Sequence, residues 1–192
     1  KECDKQTEEI LDQFSRLTKD AKPLPKGIKS KNSPSFNAKQ YLYDIIGVDV
    51  TKIYGLQETN ALTIFSETGC NLAEKFPTEK QFLSWLNVVP DNKITGAKVI
   101  SSKVRKKKNK AGQAFRDSAN TLWRANNPWG DYLRIKKAKS GSRQAVVATA
   151  KKIASVYYKM VVDKVDFDDA KIKNNRNDYF SKKLNYLQTM ME

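Results

Sequence analysis

Residues 143–162 read RQAVVATAKKIASVYYKMVV, a long apolar pattern of helical period. Its apolar side chains recur three and four positions apart, so they collect on one face of a helix. That face consists of Ala145, Val146, Thr149, Ile153, Val156, Tyr157 and Met160. A face this broad indicates a helix packed in a hydrophobic core rather than a cofactor-binding stripe.

Shorter helices are predicted on the N-terminal side of this segment, at 38–46, 58–67, 78–86, 110–124 and 128–137. Thr78 with Gln81 forms a capping-box pattern, and Asn127 precedes a proline at the first helical position. Ser140-Gly141 marks a helix end. No alternating strand pattern competes over a comparable length. The sequence therefore predicts a mainly α fold, a compact helical domain over residues 41–163.

Three segments flank that domain. Residues 1–21 carry Ile10, Leu11, Phe14 and Leu17 at helical spacing, which predicts the end of a coiled-coil or dimerisation helix; a plain packing helix explains the spacing equally well. Residues 22–40 are rich in proline and lysine and predict a basic linker. Residues 164–192 form a C-terminal tail. The chain begins with a helical pattern already in progress and no initiator Met, so it is predicted to be part of a longer protein.

The charge of the chain points to a polyanionic partner. Lys and Arg total 36 against 21 Asp and Glu, a formal net charge of +15. Each phosphate contact made by such a surface releases condensed counterions, which favours nucleic acid as the ligand. A merely soluble basic surface is the plainer interpretation.

Several classes of site are excluded by the residues that are missing. The chain has no histidine, which removes imidazole metal ligands and Ser-His or Cys-His catalysis. Cys3 and Cys70 are too far apart in sequence to resemble a metal or disulfide framework. No apolar run reaches the roughly 20 residues that span a bilayer. A reducing, cytoplasmic setting without membrane contact is expected.

The most basic part of the sequence is residues 93–116, which contain no acidic residue. This charge would repel itself unless a polyanion or water neutralised it. Its cations are Lys93, Lys98, Lys103, Arg105, Lys106, Lys107, Lys108, Lys110 and Arg116. We predict that they bind nucleic acid, and that all of them except Arg116 lie in a basic loop spanning 88–110.

Hydroxyl groups lie among these cations. Thr95 and Gly96 precede Ser101 and Ser102, and hydroxyls beside glycine and lysine suit phosphate binding. They also suit nucleophilic attack on phosphorus, since neighbouring cations stabilise the developing charge. A phosphate-binding loop without catalysis remains the alternative.

A second, weaker signal surrounds Gly55. The motif Ile53-Tyr54-Gly55-Leu56 and the helix after it resemble a helix-hairpin-helix over about 45–69, in which a glycine turn offers backbone N–H groups to a phosphate. The second glycine of that pattern is replaced by Gln57, so a purely structural hairpin is as good an interpretation.

Two other clusters are interpreted structurally. Trp123 and Trp129 lie near basic residues, where aromatic rings can stack on bases, but tryptophans at a helix corner more often belong to the core. Asp163, Asp166, Asp168 and Asp169 are interpreted as solvated acids rather than a metal site.

Several separated motifs, in the same order, closely resemble the C-terminal transposase domain of the insertion-sequence one-ten family, whose relatives include the Piv-type DNA invertases. The resemblance covers nearly the whole chain. It rests on PLP at 23–25, PSFNA at 34–38, IYGL at 53–56, FPT at 76–78, FLSWL at 82–86, VPDNKITG at 89–96, KVISS at 98–102, NKA at 109–111, GDYLR at 130–134 and ATAKKIA at 148–154.

The resemblance implies an enzyme that cuts and rejoins DNA through a serine hydroxyl. Family members also carry an N-terminal RuvC-like domain whose acidic residues bind Mg2+, and a coiled coil. Many use a structured guide RNA and assemble as dimers or tetramers. The resemblance thus implies DNA at element ends and targets, guide RNA and further copies of the protein as partners, in a bacterial or archaeal nucleoid. It implies no cofactor on this chain, which alone is expected to be inactive.

The family serine lies five residues after the proline and directly before a glycine, which corresponds to Thr95 in this chain. Threonine keeps the hydroxyl but adds a methyl group that stiffens χ1. The next family glycine is replaced by Ala97. Thr95 is therefore the first candidate nucleophile, with Ser101 and Ser102 as alternatives. The rival functions are a non-catalytic helix-hairpin-helix DNA/RNA-binding module and an RNA-binding structural protein.

Overall fold

The computed structural model describes residues 2–14, 23–24, 33–104, 109–169 and 175–191. Its fold is mainly helical, which confirms the predicted class. Two short 3-10 helices, Val50–Lys52 and Thr121–Arg124, connect larger elements. The larger elements in chain order are α1 (Glu2–Asp12), α2 (Ala38–Ile46), α3 (Glu58–Thr68), α4 (Leu72–Lys75), α5 (Glu79–Trp85), β1 (Pro90–Thr95), β2 (Lys98–Val104), α6 (Lys110–Asn120), α7 (Pro128–Ser140), α8 (Ser142–Asp163) and α9 (Asn175–Met191).

Helix α8 lies at the centre of the core and packs against α5, α6 and α7. Its predicted apolar face is buried except for Val146 and Val156, which are partly buried. Ala150, Ala154 and Tyr158 are buried as well, because neighbouring helices cover α8 on more than one side. The core interpretation of this segment is confirmed.

An aromatic cluster joins α5 and α6 to α8. Phe82 is completely buried, and its ring lies 6.2 Å from that of Phe115 and 6.3 Å from that of Tyr157. The Tyr158 hydroxyl donates a 2.8 Å hydrogen bond to the carbonyl of Phe76, so its polar end is satisfied inside the core. This cluster fixes the position of α5, and β1 begins five residues after the end of that helix.

The predicted helix starts are confirmed by their caps. Thr78 and Gln81 form the capping box of α5, and Asn127 accepts a hydrogen bond from the Gly130 N–H at the start of α7. Gly141 ends α7 with a φ of 85°, a conformation that favours glycine. The predicted helix at 110–124 ends as an α-helix at Asn120 and continues as the second 3-10 helix.

The predicted helix-hairpin-helix over about 45–69 is not confirmed. Only the single 3-10 turn Val50–Lys52 lies between α2 and the Gly55 turn, where the motif requires a full helix. Helix α3 does follow the turn as predicted. With one turn of helix on its N-terminal side, this segment lacks the paired helices that hold such a hairpin.

The predicted dimerisation helix folds against this domain over its described part. Leu11 is buried, Tyr41 donates a 3.2 Å hydrogen bond to a Glu8 carboxylate oxygen, and the Phe14 ring meets that of Phe65. Ile10 remains 56 % exposed. Leu17 lies outside the described residues, and dimerisation through this segment stays a prediction.

Candidate nucleic-acid interface

The basic segment predicted as a loop over 88–110 contains an antiparallel β-hairpin. Strands β1 and β2 pair from Pro90 with Val104 to Thr95 with Lys98. All residues of β1 are exposed to solvent. The loop prediction was therefore wrong for residues 90–95 and 98–104, because strands that bury neither face need no alternation of apolar and polar residues.

The two strands are joined by a turn of two residues, Gly96 and Ala97. Their φ angles are 55° and 62°, so both lie in the left-handed region that a tight type I′ hairpin turn requires. Gly96 adopts this conformation freely, whereas Ala97 is strained there. A glycine at position 97, which the resemblance led us to expect, would adopt this conformation without strain.

The pairing register assigns the candidate nucleophiles to faces of the hairpin. Thr95 lies opposite Lys98, and Lys93 lies opposite Ser101. Cross-strand partners share a face, as do alternate residues of a strand. One face, which we call the cationic face, therefore carries Asp91, Lys93, Thr95, Lys98, Ser101 and Lys103.

Ser102 lies on the opposite face from Thr95 and Ser101. Its cross-strand partner is Asn92, which alternates with Lys93 along β1. Ser101 and Ser102 are equally good candidates by sequence, and the register places them on opposite faces of the hairpin. A phosphate on the cationic face can approach the hydroxyls of Thr95 and Ser101 while lysines contact its oxygens.

The N-terminal end of the hairpin is joined to the core through Asn87. This residue is buried, with a φ of 54°, and its carbonyl accepts a 2.6 Å hydrogen bond from Nη2 of Arg116. Partial burial lowers the pKa of Arg116, while nearby Asp117 acts in the opposite direction. Arg116 was predicted to bind nucleic acid; its described partner is this carbonyl, and the binding role stays a prediction.

The C-terminal side is joined through Asn109. Its side chain accepts a 2.7 Å hydrogen bond from the Gly112 N–H, which caps α6, and donates a 2.9 Å bond to the Trp85 carbonyl. A Cβ at Gly112 would lie 2.1 Å from the Leu86 carbonyl oxygen, so the start of α6 packs against the end of α5 too closely for any residue larger than glycine. Sequence reasoning missed Asn87 and Asn109, although the latter stands directly before a predicted helix, as an N-cap does.

The remaining residues predicted to bind nucleic acid lie outside the two strands of the hairpin. Lys110 is an exposed residue at the start of α6, with its Nζ 3.9 Å from a Glu67 carboxylate oxygen. A Cβ at Gly55 would lie 2.5 Å from the Ser118 carbonyl oxygen, so this glycine permits close packing against α6. Whether the Gly55 N–H also binds phosphate stays a prediction. Arg105, Lys106, Lys107 and Lys108 lie outside the described residues.

Trp129 is buried in the core, as predicted, and Trp123 is partly buried against it. The Trp123 ring lies under the ammonium group of Lys137, 5.2 Å from the ring centroid. Within the described residues, no three Asp, Glu or Cys side chains come together as a metal site.

No helix in the described part of the chain is long and apolar enough to cross a membrane. Residues 49–134 match the family model described as Transposase IS116/IS110/IS902 family. The matched segment contains the hairpin and every predicted site residue. No curated protein and no solved structure matches the chain. The family match confirms the predicted resemblance to a C-terminal transposase domain of that family.

Proposed function

We propose that the chain binds DNA with its hairpin and exchanges strands through a hydroxyl nucleophile, since residues 49–134 match the transposase family model. The family supports a transposase or recombinase role in general. The exposed hairpin supports the finer proposal, because a two-stranded β-ribbon has dimensions that enter the major groove of duplex DNA.

One observation carries the proposal: Thr95 shares the cationic face with Lys93, Lys98 and Lys103. A hydroxyl attacking phosphorus needs a nearby positive charge to stabilise the developing negative charge. Lys98, directly opposite Thr95, and Lys93, two positions before it, are exposed and can supply that charge without blocking the DNA. Threonine also fits the position, since β-branched residues are favoured in strands.

In the proposed step, the hydroxyl oxygen of Thr95 bonds to a backbone phosphorus as the bond to one DNA oxygen breaks. The hydroxyl proton is transferred to a general base, and the departing DNA oxygen takes up a proton. Attack by a second DNA end on the resulting ester releases Thr95 and joins the strands. Ser101, on the same face, is the second candidate for this role.

We further propose that the chain works with a RuvC-like domain that holds Mg2+, with a structured guide RNA, and as a dimer or tetramer. These partners come from the family resemblance. The residues of this chain would bind and orient the scissile strand, and no step assigned to them uses a metal.

The test is a strand-exchange assay with the full-length protein that carries this chain, with DNA binding measured in parallel. Thr95→Ala should abolish strand exchange and covalent protein–DNA adducts while DNA binding persists. Thr95→Ser should retain strand exchange and adduct formation. Ser102→Ala is the matched control, because it removes a hydroxyl from the opposite face. Undiminished exchange by Thr95→Ala would rule out Thr95 as the nucleophile, and loss in Ser101→Ala instead would transfer the role to Ser101.

A non-catalytic DNA/RNA-binding module is the second candidate, favoured by the exposure of the hairpin lysines. It predicts that no hydroxyl variant changes any product and that no covalent adduct forms. An RNA-binding protein would prefer structured RNA to duplex DNA. Affinity for each, and for the two together, separates these possibilities.

A further inference from the structure

The hairpin exposes two large apolar side chains near its tip. Ile94 is 62 % exposed and Ile100 is 69 % exposed, although hairpins normally bury their branched apolar residues against a core. Single exposed apolar residues are common on proteins, but here two come from opposite strands at the same level of the hairpin. Their placement calls for a ligand with an apolar surface.

A β-bulge directs Ile100 away from the regular ladder. The register passes from Lys93 opposite Ser101 to Ile94 opposite Val99, which leaves Ile100 as the extra residue of β2. Bulges of this kind bend a strand and redirect a side chain. Only the Thr95–Lys98 pair and the turn lie beyond Ile94, so the two isoleucines stand close to the leading end of the hairpin.

The surroundings of the isoleucines identify the chemistry of the ligand. Ile94 lies on the face opposite the cationic face, but Lys93 precedes it and the Thr95–Lys98 pair follows it, so a ligand that surrounds the tip of the hairpin meets both the isoleucines and positive charge. A stack of base pairs presents this combination, with apolar base faces inside and phosphates outside. Architectural DNA-binding proteins insert isoleucine, leucine and similar side chains between base steps in this way.

We propose that Ile94 and Ile100 form a wedge that unstacks a base step of duplex DNA while the hairpin lysines hold the phosphates. The proposal rests on the proposed function in one respect, that the hairpin binds DNA. Its consequence is a locally opened or kinked duplex around the tip of the hairpin, with the candidate nucleophile Thr95 one position further along β1 on the opposite face.

The base of the hairpin is built to support such insertion. The Arg116–Asn87 and Asn109–Trp85 hydrogen bonds tie both sides of the hairpin to the ends of α5 and α6. Unstacking costs a few kcal/mol per base step, which contacts along the bent duplex must offset.

The experiment uses the full chain and duplex DNA that contains 2-aminopurine, whose fluorescence rises on unstacking, with a fluorophore pair at the duplex ends to report bending. Wild type should raise the fluorescence and bend the duplex. The double variant Ile94→Thr with Ile100→Thr keeps β-branched residues in the strands and should lose most of both signals. Its affinity should fall by no more than about tenfold, since phosphate contacts dominate affinity.

Val165→Thr is the matched control, because Val165 is 51 % exposed outside the hairpin, and it should behave as wild type. Salt-dependent binding by wild type without a fluorescence change would overturn the wedge and leave the proposed function intact. Absence of duplex binding would instead remove the proposed function. Retention of both signals by the double variant would also overturn the wedge.

Discussion

Nη2 of Arg116 donates a 2.6 Å hydrogen bond to the backbone carbonyl of Asn87, 29 positions earlier in the chain. Asn87 occupies the left-handed region and is buried between α5 and the first hairpin strand. The bond therefore joins α6 to the point at which the chain leaves the core to form the hairpin. Arg116 belongs to the basic segment by sequence, but its described hydrogen bond holds the residue that precedes the hairpin.

We expect Arg116→Ala to lower the free energy of unfolding by about 1–2 kcal/mol, because a partly buried hydrogen bond from a charged donor is lost and a buried carbonyl is left without it. Urea denaturation measures the change. Lys110→Ala is the control: this side chain is 84 % exposed and its ion pair is long, so stability should be nearly unchanged. Equal losses in both variants would contradict a specific role for the Asn87 bond.

Ala97→Gly should stabilise the hairpin by about 1 kcal/mol, because it removes the strain of a left-handed non-glycine residue. Hydrogen exchange of the β1 and β2 amides should slow. Gly96→Ala supplies the converse change: a Cβ at this glycine meets nothing within 4 Å, so any faster exchange reports conformational strain alone. If exchange is insensitive to both substitutions, the turn conformation described here is incorrect.

Gly112→Ala should destabilise the fold by about 2 kcal/mol, although alanine is ordinarily favoured over glycine within a helix by about 1 kcal/mol. The added Cβ would lie 2.1 Å from the Leu86 carbonyl oxygen, so α5 and α6 must separate. Thermal or urea denaturation shows directly whether the substitution lowers or raises the free energy of unfolding. Gly141→Ala, where the added Cβ meets nothing within 4 Å, is the comparison for backbone strain without a steric clash, and its loss should come from its positive φ alone.

Replacement of Lys93, Lys98 or Lys103 by glutamine should weaken binding to duplex DNA of any sequence. Each lost phosphate contact should lower the slope of log K against log salt by about 0.9. Lys159→Gln provides the control, since this exposed lysine lies on α8 outside the hairpin. An unchanged slope in all three hairpin variants would show that the cationic face does not carry the phosphate contacts.

The sequence by itself determined most of the helical framework and the resemblance to a transposase family. The helix predicted at 38–46 coincides with α2, and Asn127 caps α7 as expected, because apolar period and caps act over a few neighbouring residues. The motifs that resemble the transposase family are also properties of the sequence. None of these features depends on which distant segments come together.

Tertiary structure alone decided the geometry of the candidate site. The hairpin had no apolar alternation because it projects from the core, so no local pattern marked its strands. Ser101 and Ser102 are neighbours in sequence, and only the register with β1 places Ser101 beside Lys93 on the face of Thr95 and Ser102 on the other. The role of Arg116 likewise depends on a carbonyl 29 residues away. Faces, registers and long-range hydrogen bonds arise from pairing between segments, which the helical period of a single segment does not encode.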